Sequence, residues 1–373
     1  MQSFTEEHDE LRATVRQFLA DRSDEQAVRT QMASDTGFDP DVWQQLAEQV
    51  GLTGLIIPEE HGGAGFGYVE LCIVAEEMGR ALLCAPYLSS AVLATNALLH
   101  AATPAAQKEI LPGIAAGRLR ASLAYAESGW EVDGVRMAAQ EKDGAWVLDG
   151  TKQHVLDGQS ADVLLVVAQT AAGLELFRVD ADASGVTRTG LSGLDLTRKL
   201  AHVEFAAASA TKLSDGDARE GIERALALTW IALSAEQAGG AQWCLDTAVD
   251  YAKSRLQFGR PIGTYQAIKH KCADMLVEVE FAKTAAYAAC WAAADVASGD
   301  ASWDDVLEAA HTAKAFCSET FFHAAAENIQ IHGGMGFTWE HPAHLYFKRA
   351  KASDLLFGDA AHHRERLAGR LGI

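Results

Sequence analysis

At 373 residues with 49% apolar content, the chain can bury more than one hydrophobic core, which excludes wholesale disorder and favours two or three domains over a single enlarged one. Its 51 acidic and 31 basic residues give a formal charge of -20, which excludes broad nucleic-acid binding while leaving room for a locally positive nucleotide or coenzyme pocket. No run of about eighteen apolar residues offers a membrane span, and Met1 to Glu7 carry no positive lead into an apolar segment, so the sequence points to the cytoplasm.

From Thr5 to Leu19, Leu11, Val15, Phe18 and Leu19 recur at helical spacing among charged residues and predict an amphipathic helix. A second helix is expected after Asp39 and Pro40, because proline suits a first helical turn, with Val42, Trp43, Leu46 and Val50 as its apolar face and Gly51 as its stop. Pro58 to Gly67 form a glycine-rich loop, but the Lys followed by Ser or Thr that would make it a phosphate loop is absent. Val69 to Met78 and Ser89 to Leu99 read as helices, and Pro112 and Gly113 are expected to help close this all-helical N-terminal block near Gly117.

After Arg118 the period changes. Trp146 to Leu148, Val163 to Val167 and Leu174 to Val179 are short apolar or alternating runs between Asp, Gly and Thr, and predict a small sheet or barrel. Helical composition returns over Glu220 to Leu256, Gln266 to Ser298 and Trp303 to Gln330, followed by a glycine-rich interruption and a final helical segment. The expected division is a helical domain over residues 1–118, a β domain over 119–212 and a second helical domain over 213–373.

The six cysteines, at 72, 84, 244, 272, 290 and 317, show no close pairing and fall mostly in apolar helical contexts, which predicts buried free thiols in a reducing compartment. The histidines near the C-terminus, including His332, His341, His344, His362 and His363, lack metalloprotease spacing, so no metal is expected.

Two segments could carry chemistry. Arg255 to Gly263 (RLQFGRPIG) stands where a long helix ends, and its two arginines suit a diphosphate, with backbone donors of an adjacent turn beside them. The same residues would also make an ordinary basic helix terminus with a Gly-Pro turn. Gln330 to Phe337 (QIHGGMGF) is a glycine run after a helix, fit either for close approach of a ligand to the backbone or for a helical-hairpin turn.

Taken together at this separation, the two segments closely resemble the signature elements of the acyl-CoA dehydrogenase family, and the resemblance follows the whole chain in domain order. It implies an N-terminal helical domain, a middle β-barrel domain and a C-terminal four-helix bundle, usually in tetramers, with FAD as cofactor. It also implies α,β-dehydrogenation of an acyl-CoA thioester and an electron-transfer flavoprotein as acceptor. By the same resemblance Arg255, Gln257 and Phe258, with Gln330, Gly333, Gly334 and Gly336, are the elements that reach across a subunit interface to a neighbour's flavin. Gly150, Thr151 and Lys152, with Ala161 and Asp162, resemble the middle-domain segment beside the flavin.

The departures are as telling. The family's catalytic Glu should fall just before Gly358, where Phe357 stands, and the alternative position on the preceding long helix is Thr229. Neither side chain is a carboxylate base, which the reaction requires. Asp354, Asp359 and Glu236 are the nearby acids that could substitute. Ala124 to Gly129 replaces most of the family's Thr-Glu-Pro and Gly-Ser pattern, and His154 to Asp157 replaces the aromatic-Ile-Thr or Ser segment that touches the flavin. This asymmetry resembles the base-lacking subunit of heteromeric family members, several from actinobacterial sterol side-chain degradation, in which a homologous base-bearing partner completes an α2β2 tetramer. A homomeric dehydrogenase with an unusual base and a noncatalytic acyl-CoA- or protein-binding scaffold are the alternatives.

Overall fold

The computed structural model describes residues 4–373. Helices α1 (Glu6–Arg22), α2 (Glu25–Ala33), α3 (Pro40–Glu48) and α4 (Tyr68–Arg80) come first, then a π-helical segment Tyr87–Ala94, α5 (Thr95–Ala101) and α6 (Pro104–Ala115). Local chemistry sets these boundaries. The Thr5 side chain caps α1 by accepting from His8 N–H, and the Asp39 carboxylate caps α3 ahead of Pro40. Gly51 follows α3 at φ 71°, a left-handed conformation that glycine adopts without a Cβ clash.

Pro112 lies inside α6, which ends at Ala115 just before Gly117, and the Gly113 carbonyl accepts the Arg118 and Leu119 N–H groups of the closing turn. Two local expectations are corrected. The stretch predicted as one helix from Ser89 is π-helical to Ala94 and α-helical only from Thr95. The long helix predicted to reach Leu256 ends at Ser254, and Leu256 opens a strand.

The middle of the chain holds β1 (Ala121–Ala124), β2 (Ala138–Lys142), β3 (Ala145–Leu156), β4 (Val163–Thr170), β5 (Gly173–Asp180), β6 (Val186–Gly190) and β7 (Leu200–Lys212). Strand β4 pairs with β1, β2 and β5, β5 pairs with β7, and β3 lies between β2 and β7. The path β4-β2-β3-β7-β5 therefore returns to β4 and closes as a barrel, removing its own open edges. Leu148, Leu164, Val166, Phe177, Val203 and Phe205 fill its core.

The C-terminal helices are α7 (Arg219–Ser254), α8 (Gln266–Ser298), α9 (Trp303–His332), α10 (Ala343–Leu355) and α11 (Ala360–Leu371), with a short hairpin of β8 (Leu256–Gln257) and β9 (Arg260–Pro261) between α7 and α8. This order of N-terminal helices, middle barrel and C-terminal helices is the one the resemblance implies. No helix among the described residues is long and apolar enough to cross a membrane.

By packing, the chain forms two compact units. Among the described residues, one comprises 4–28, 68–83 and 230–373, the other 29–67 and 84–229. Within the first, α4 and α7 cross at a pair of glycines. A Cβ on Gly79 would sit 1.9 Å from the Glu236 carbonyl oxygen and one on Gly239 1.9 Å from that of Glu76, so the two backbones touch where neither has a side chain.

The cysteine expectation is corrected in part. Cys84, Cys244, Cys272 and Cys317 are outside any disulfide, the first two and the last of them buried, but Cys72 of α4 and Cys290 of α8 form a disulfide. A sequence separation of 218 residues conceals a pairing that helix packing creates.

Candidate functional site

In the first unit, α7 runs into the β8–β9 hairpin. Leu256 pairs with Pro261 and Gln257 with Arg260, and the two turn residues, Phe258 (φ 51°) and Gly259 (φ 79°), both take positive φ. Glycine accepts this freely. Phenylalanine does not, so the Phe258 conformation costs energy that the hairpin must outweigh. Support comes from Tyr265, whose hydroxyl donates to the Gln257 carbonyl at 3.2 Å and whose ring lies 4.2 Å from the Arg260 guanidinium carbon. The two arginines thus differ: Arg260 is stacked on a ring, whereas Arg255, at the helix end, is exposed. Phe258 is 92% exposed, an unusual place for a phenyl ring in a finished surface.

Helix α9 carries the second segment. Its last turn ends at Gly333, with φ 62° and ψ -140°, and the Gly333 N–H donates to the Ile329 and Gln330 carbonyls. Gln330 is exposed, and a Cβ on Gly333 or Gly334 would meet open space. Gly336 is different. A Cβ there would come within 2.8 Å of the His332 Cβ and 2.9 Å of the Ile329 oxygen, so this glycine is required by internal packing.

The two segments are brought together by His332, inside the second segment, and by Tyr251, which the sequence pattern did not single out. Tyr251, one turn before Arg255, stacks on His332, two residues after Gln330, with ring centroids 4.2 Å apart. The His332 Nδ1 lies 2.8 Å from the Asn328 carbonyl, and burial lowers the His332 pKa, so its ring stays neutral at pH 7. A tyrosine one turn before the first motif and a histidine inside the second are the sequence trace of this junction. Their stacking is tertiary.

The position expected to hold the base lies in the turn between α10 and α11. Phe357 is buried with φ 64°, and Gly358 follows at φ 103°, where a Cβ would meet the His362 ring. Lys314 of α9, with no exposed surface, ties the turn down by donating to the Asp354 carbonyl (3.1 Å), the Gly358 carbonyl (3.1 Å) and the Ser318 hydroxyl (3.0 Å). Behind it, His311 and His363 meet Nδ1 to Nδ1 at 2.9 Å, with Trp230 packed on both. Burial, followed by nearby Arg370, His362 and Arg366, pushes the His311 pKa down to about 4. Burial, then Lys314 and His311, pushes His363 down to about 2.

Each substitute acid already has a partner. Glu236 accepts from Arg349 at 2.9 Å in a buried ion pair, Asp354 from Lys351 at 2.8 Å, and Asp359 caps α11 through the His362 N–H at 2.8 Å. In the second unit, Thr229 is fully buried and donates its hydroxyl to the Ala225 carbonyl.

The barrel side of the second unit is also filled from within. Lys152 is buried, donating to the Tyr125 carbonyl (3.1 Å) and to Glu127 (2.7 Å), which further accepts the Arg136 and Met137 N–H groups. Burial pushes the Lys152 pKa down to about 8 against the opposing pull of Glu127. The β3–β7 register slips between Lys152 and Val155, and the bulge carries His154 at φ 51° with its ring 5.5 Å from Trp130. Asp157 accepts the Ser89 hydroxyl at 2.6 Å.

Comparison with known proteins decides the family. Residues 5–118 match the acyl-CoA dehydrogenase N-terminal domain and residues 220–372 the acyl-CoA dehydrogenase C-terminal domain. The chain belongs to the acyl-CoA dehydrogenase family. It is 38% identical over 350 residues to the acyl-CoA dehydrogenase IpdE2 of Mycobacterium tuberculosis, covering 93% of this chain and 92% of that protein. Among solved structures it resembles a variant of the Tcur3481-Tcur3483 steroid ACAD (31% identity, TM-score 0.88, 98% of each chain). It is likewise similar to the ChsE4-ChsE5 complex of Mycobacterium tuberculosis (28% identity, TM-score 0.89, 100% of this chain and 99% of that one).

Proposed function

We propose that this chain is the base-lacking subunit of a heteromeric, FAD-dependent acyl-CoA dehydrogenase. The observation that carries the reading is the turn at Phe357. A buried phenyl ring stands at the position that the family resemblance gives to the base, and Glu236, Asp354 and Asp359 are each held by another group. A carboxylate engaged in a buried ion pair or a helix cap is poorly placed to reach a substrate proton as well.

FAD fits the exterior elements better than the barrel. Arg255, Gln257, Phe258 and Gln330 are exposed, and Gly333 and Gly334 have clear space above the backbone, as a diphosphate approached from outside would need. On the barrel, Lys152 and Glu127 spend their charges on each other, and His154 lies against Trp130. When bound, the flavin supplies the hydride acceptor. This chain's part is to hold the far end of the partner's cofactor with the Arg255 and Gln330 elements. The partner is a homologous base-bearing subunit in an α2β2 tetramer with two FAD sites, in the cytoplasm, passing electrons to an electron-transfer flavoprotein. The exposed apolar stripe of Leu276, Val277 and Phe281 on α8 supports a subunit contact, since monomer surfaces rarely leave such a face open. A steroid-derived or other ring-bearing CoA thioester is the substrate class, a reading supported by similarity to a steroid ACAD.

Co-expression with base-bearing dehydrogenase subunits, followed by native mass, flavin absorbance per assembled mass and CoA-thioester turnover, tests this. The expected result is activity and flavin only in the mixed assembly. A stable homotetramer with one FAD per chain and turnover without any partner overturns it.

A further inference from the structure

Cys72 and Cys290 have no part in the flavin-site reading, yet they join α4 to α8 with Cα atoms 6.5 Å apart and neither residue exposed. One turn on along α4 and one turn back along α8, Glu76 of α4 accepts from the Tyr287 hydroxyl of α8, and Arg12 of α1 donates to Glu76 at 2.5 Å and to Tyr287 at 2.6 Å. Helix α4 is therefore tied to α8 at two successive turns, once covalently and once through charge-assisted hydrogen bonds that also hold α1. The other four cysteines form no disulfide, so the pairing is selective.

We propose that Cys72 and Cys290 form a reversible redox site that latches the helical unit. With a low-molecular-weight disulfide RSSR as oxidant, one cysteine thiolate attacks an RSSR sulfur and releases one thiolate RS⁻. The other cysteine then attacks the mixed disulfide and releases the second. The two cysteine thiols lose two electrons, RSSR becomes two RSH, and the cysteine protons pass to the departing thiolates. Reduction by a dithiol runs the same steps backwards. Burial of both sulfurs means that exchange needs α4 and α8 to part, so the bond closes as the helices assemble and is afterwards shielded from reductant until they open. The closed bond constrains a loop of more than two hundred residues in the unfolded chain, the regime in which a crosslink stabilises most.

Thiol titration of the full chain in guanidinium, after refolding with oxidised glutathione, should find four reactive thiols, and six after dithiothreitol. Peptide mapping should link Cys72 to Cys290. Reduction should lower the melting temperature by on the order of 10 °C. Cys72→Ala and Cys290→Ala should each abolish that dependence on reductant, whereas Cys84→Ala should keep it. Six reactive thiols after oxidative refolding, linkage of Cys72 to a different cysteine, or equal melting temperatures with and without reductant would overturn the proposal. The thiol count is made on the unsubstituted chain and so decides the matter even if the alanine variants do not fold.

Discussion

The hairpin at Leu256–Pro261 and the turn at Leu356–Asp359 both interrupt the C-terminal helices, and both place a phenylalanine at positive φ, yet they are built in opposite ways. In the hairpin, the Phe258 and Arg255 side chains face solvent, while Tyr265 supports Arg260, the Gln257 carbonyl and the edge of the Phe258 ring from within. In the turn, Phe357 is buried and the backbone is gripped by Lys314. The strained hairpin residue buries little of its ring inside the subunit and is supported there mainly by Tyr265. The strained turn residue is buried and sits beside a buried lysine that holds the backbone. Two similar departures from ordinary backbone geometry are therefore supported differently, the first leaving its ring open to an outside contact and the second enclosed by the chain's own packing.

The largest expected effect removes the grip on the turn. Lys314→Met keeps the aliphatic stem but leaves the Asp354 and Gly358 carbonyls without this donor, while the Ser318 hydroxyl keeps Gln237, and should destabilise the chain by roughly 3–5 kcal/mol in urea unfolding. A loss below about 1 kcal/mol would mean that the turn holds without Lys314 and that the contrast with the hairpin is mistaken.

Acid provides a second lever on the same cluster. His311 and His363 have folded pKa values below the ordinary 6.5, so the unfolded chain takes up their protons first. Stability from these groups is fully present above pH 6.5 and is lost as pH falls from 6.5 toward 4. For His311 the lost amount approaches about 3 kcal/mol by pH 4. His311→Gln should flatten the pH dependence of the unfolding free energy over that window. An unchanged slope would show that His311 is not buried in neutral form.

The smallest effect on stability belongs to the hairpin. Arg255→Ala should change the unfolding free energy by no more than about 0.5 kcal/mol, as expected for an exposed side chain. In a correctly assembled mixed complex it should weaken FAD retention about tenfold or more, with Arg255→Lys rescuing only part because the planar fork is lost. Unchanged flavin affinity in that complex would break the proposed division of labour between hairpin and turn.

Periodicity and composition by themselves determined the long helices α7, α8 and α9, the helix after Pro40 and the change to strands after residue 118, because such patterns reflect local backbone preference and one-sided burial. The absence of a carboxylate at Phe357 and Thr229 was equally legible, being a matter of residue identity at a matched position. Strands β1, β2, β6 and β7 escaped the pattern, since their burial depends on which neighbours the barrel supplies. Residue types alone could not tell which acids were already engaged. Glu236 meets Arg349 across 113 residues, and only helix packing sets that distance. The same holds for Cys72 with Cys290, for Tyr251 with His332, and for the packed Gly336 against the open Gly333 and Gly334. Sequence fixes which groups a chain carries and the local period in which they recur. Long-range contacts decide which of those groups are consumed inside the fold and which are left for a ligand or a partner.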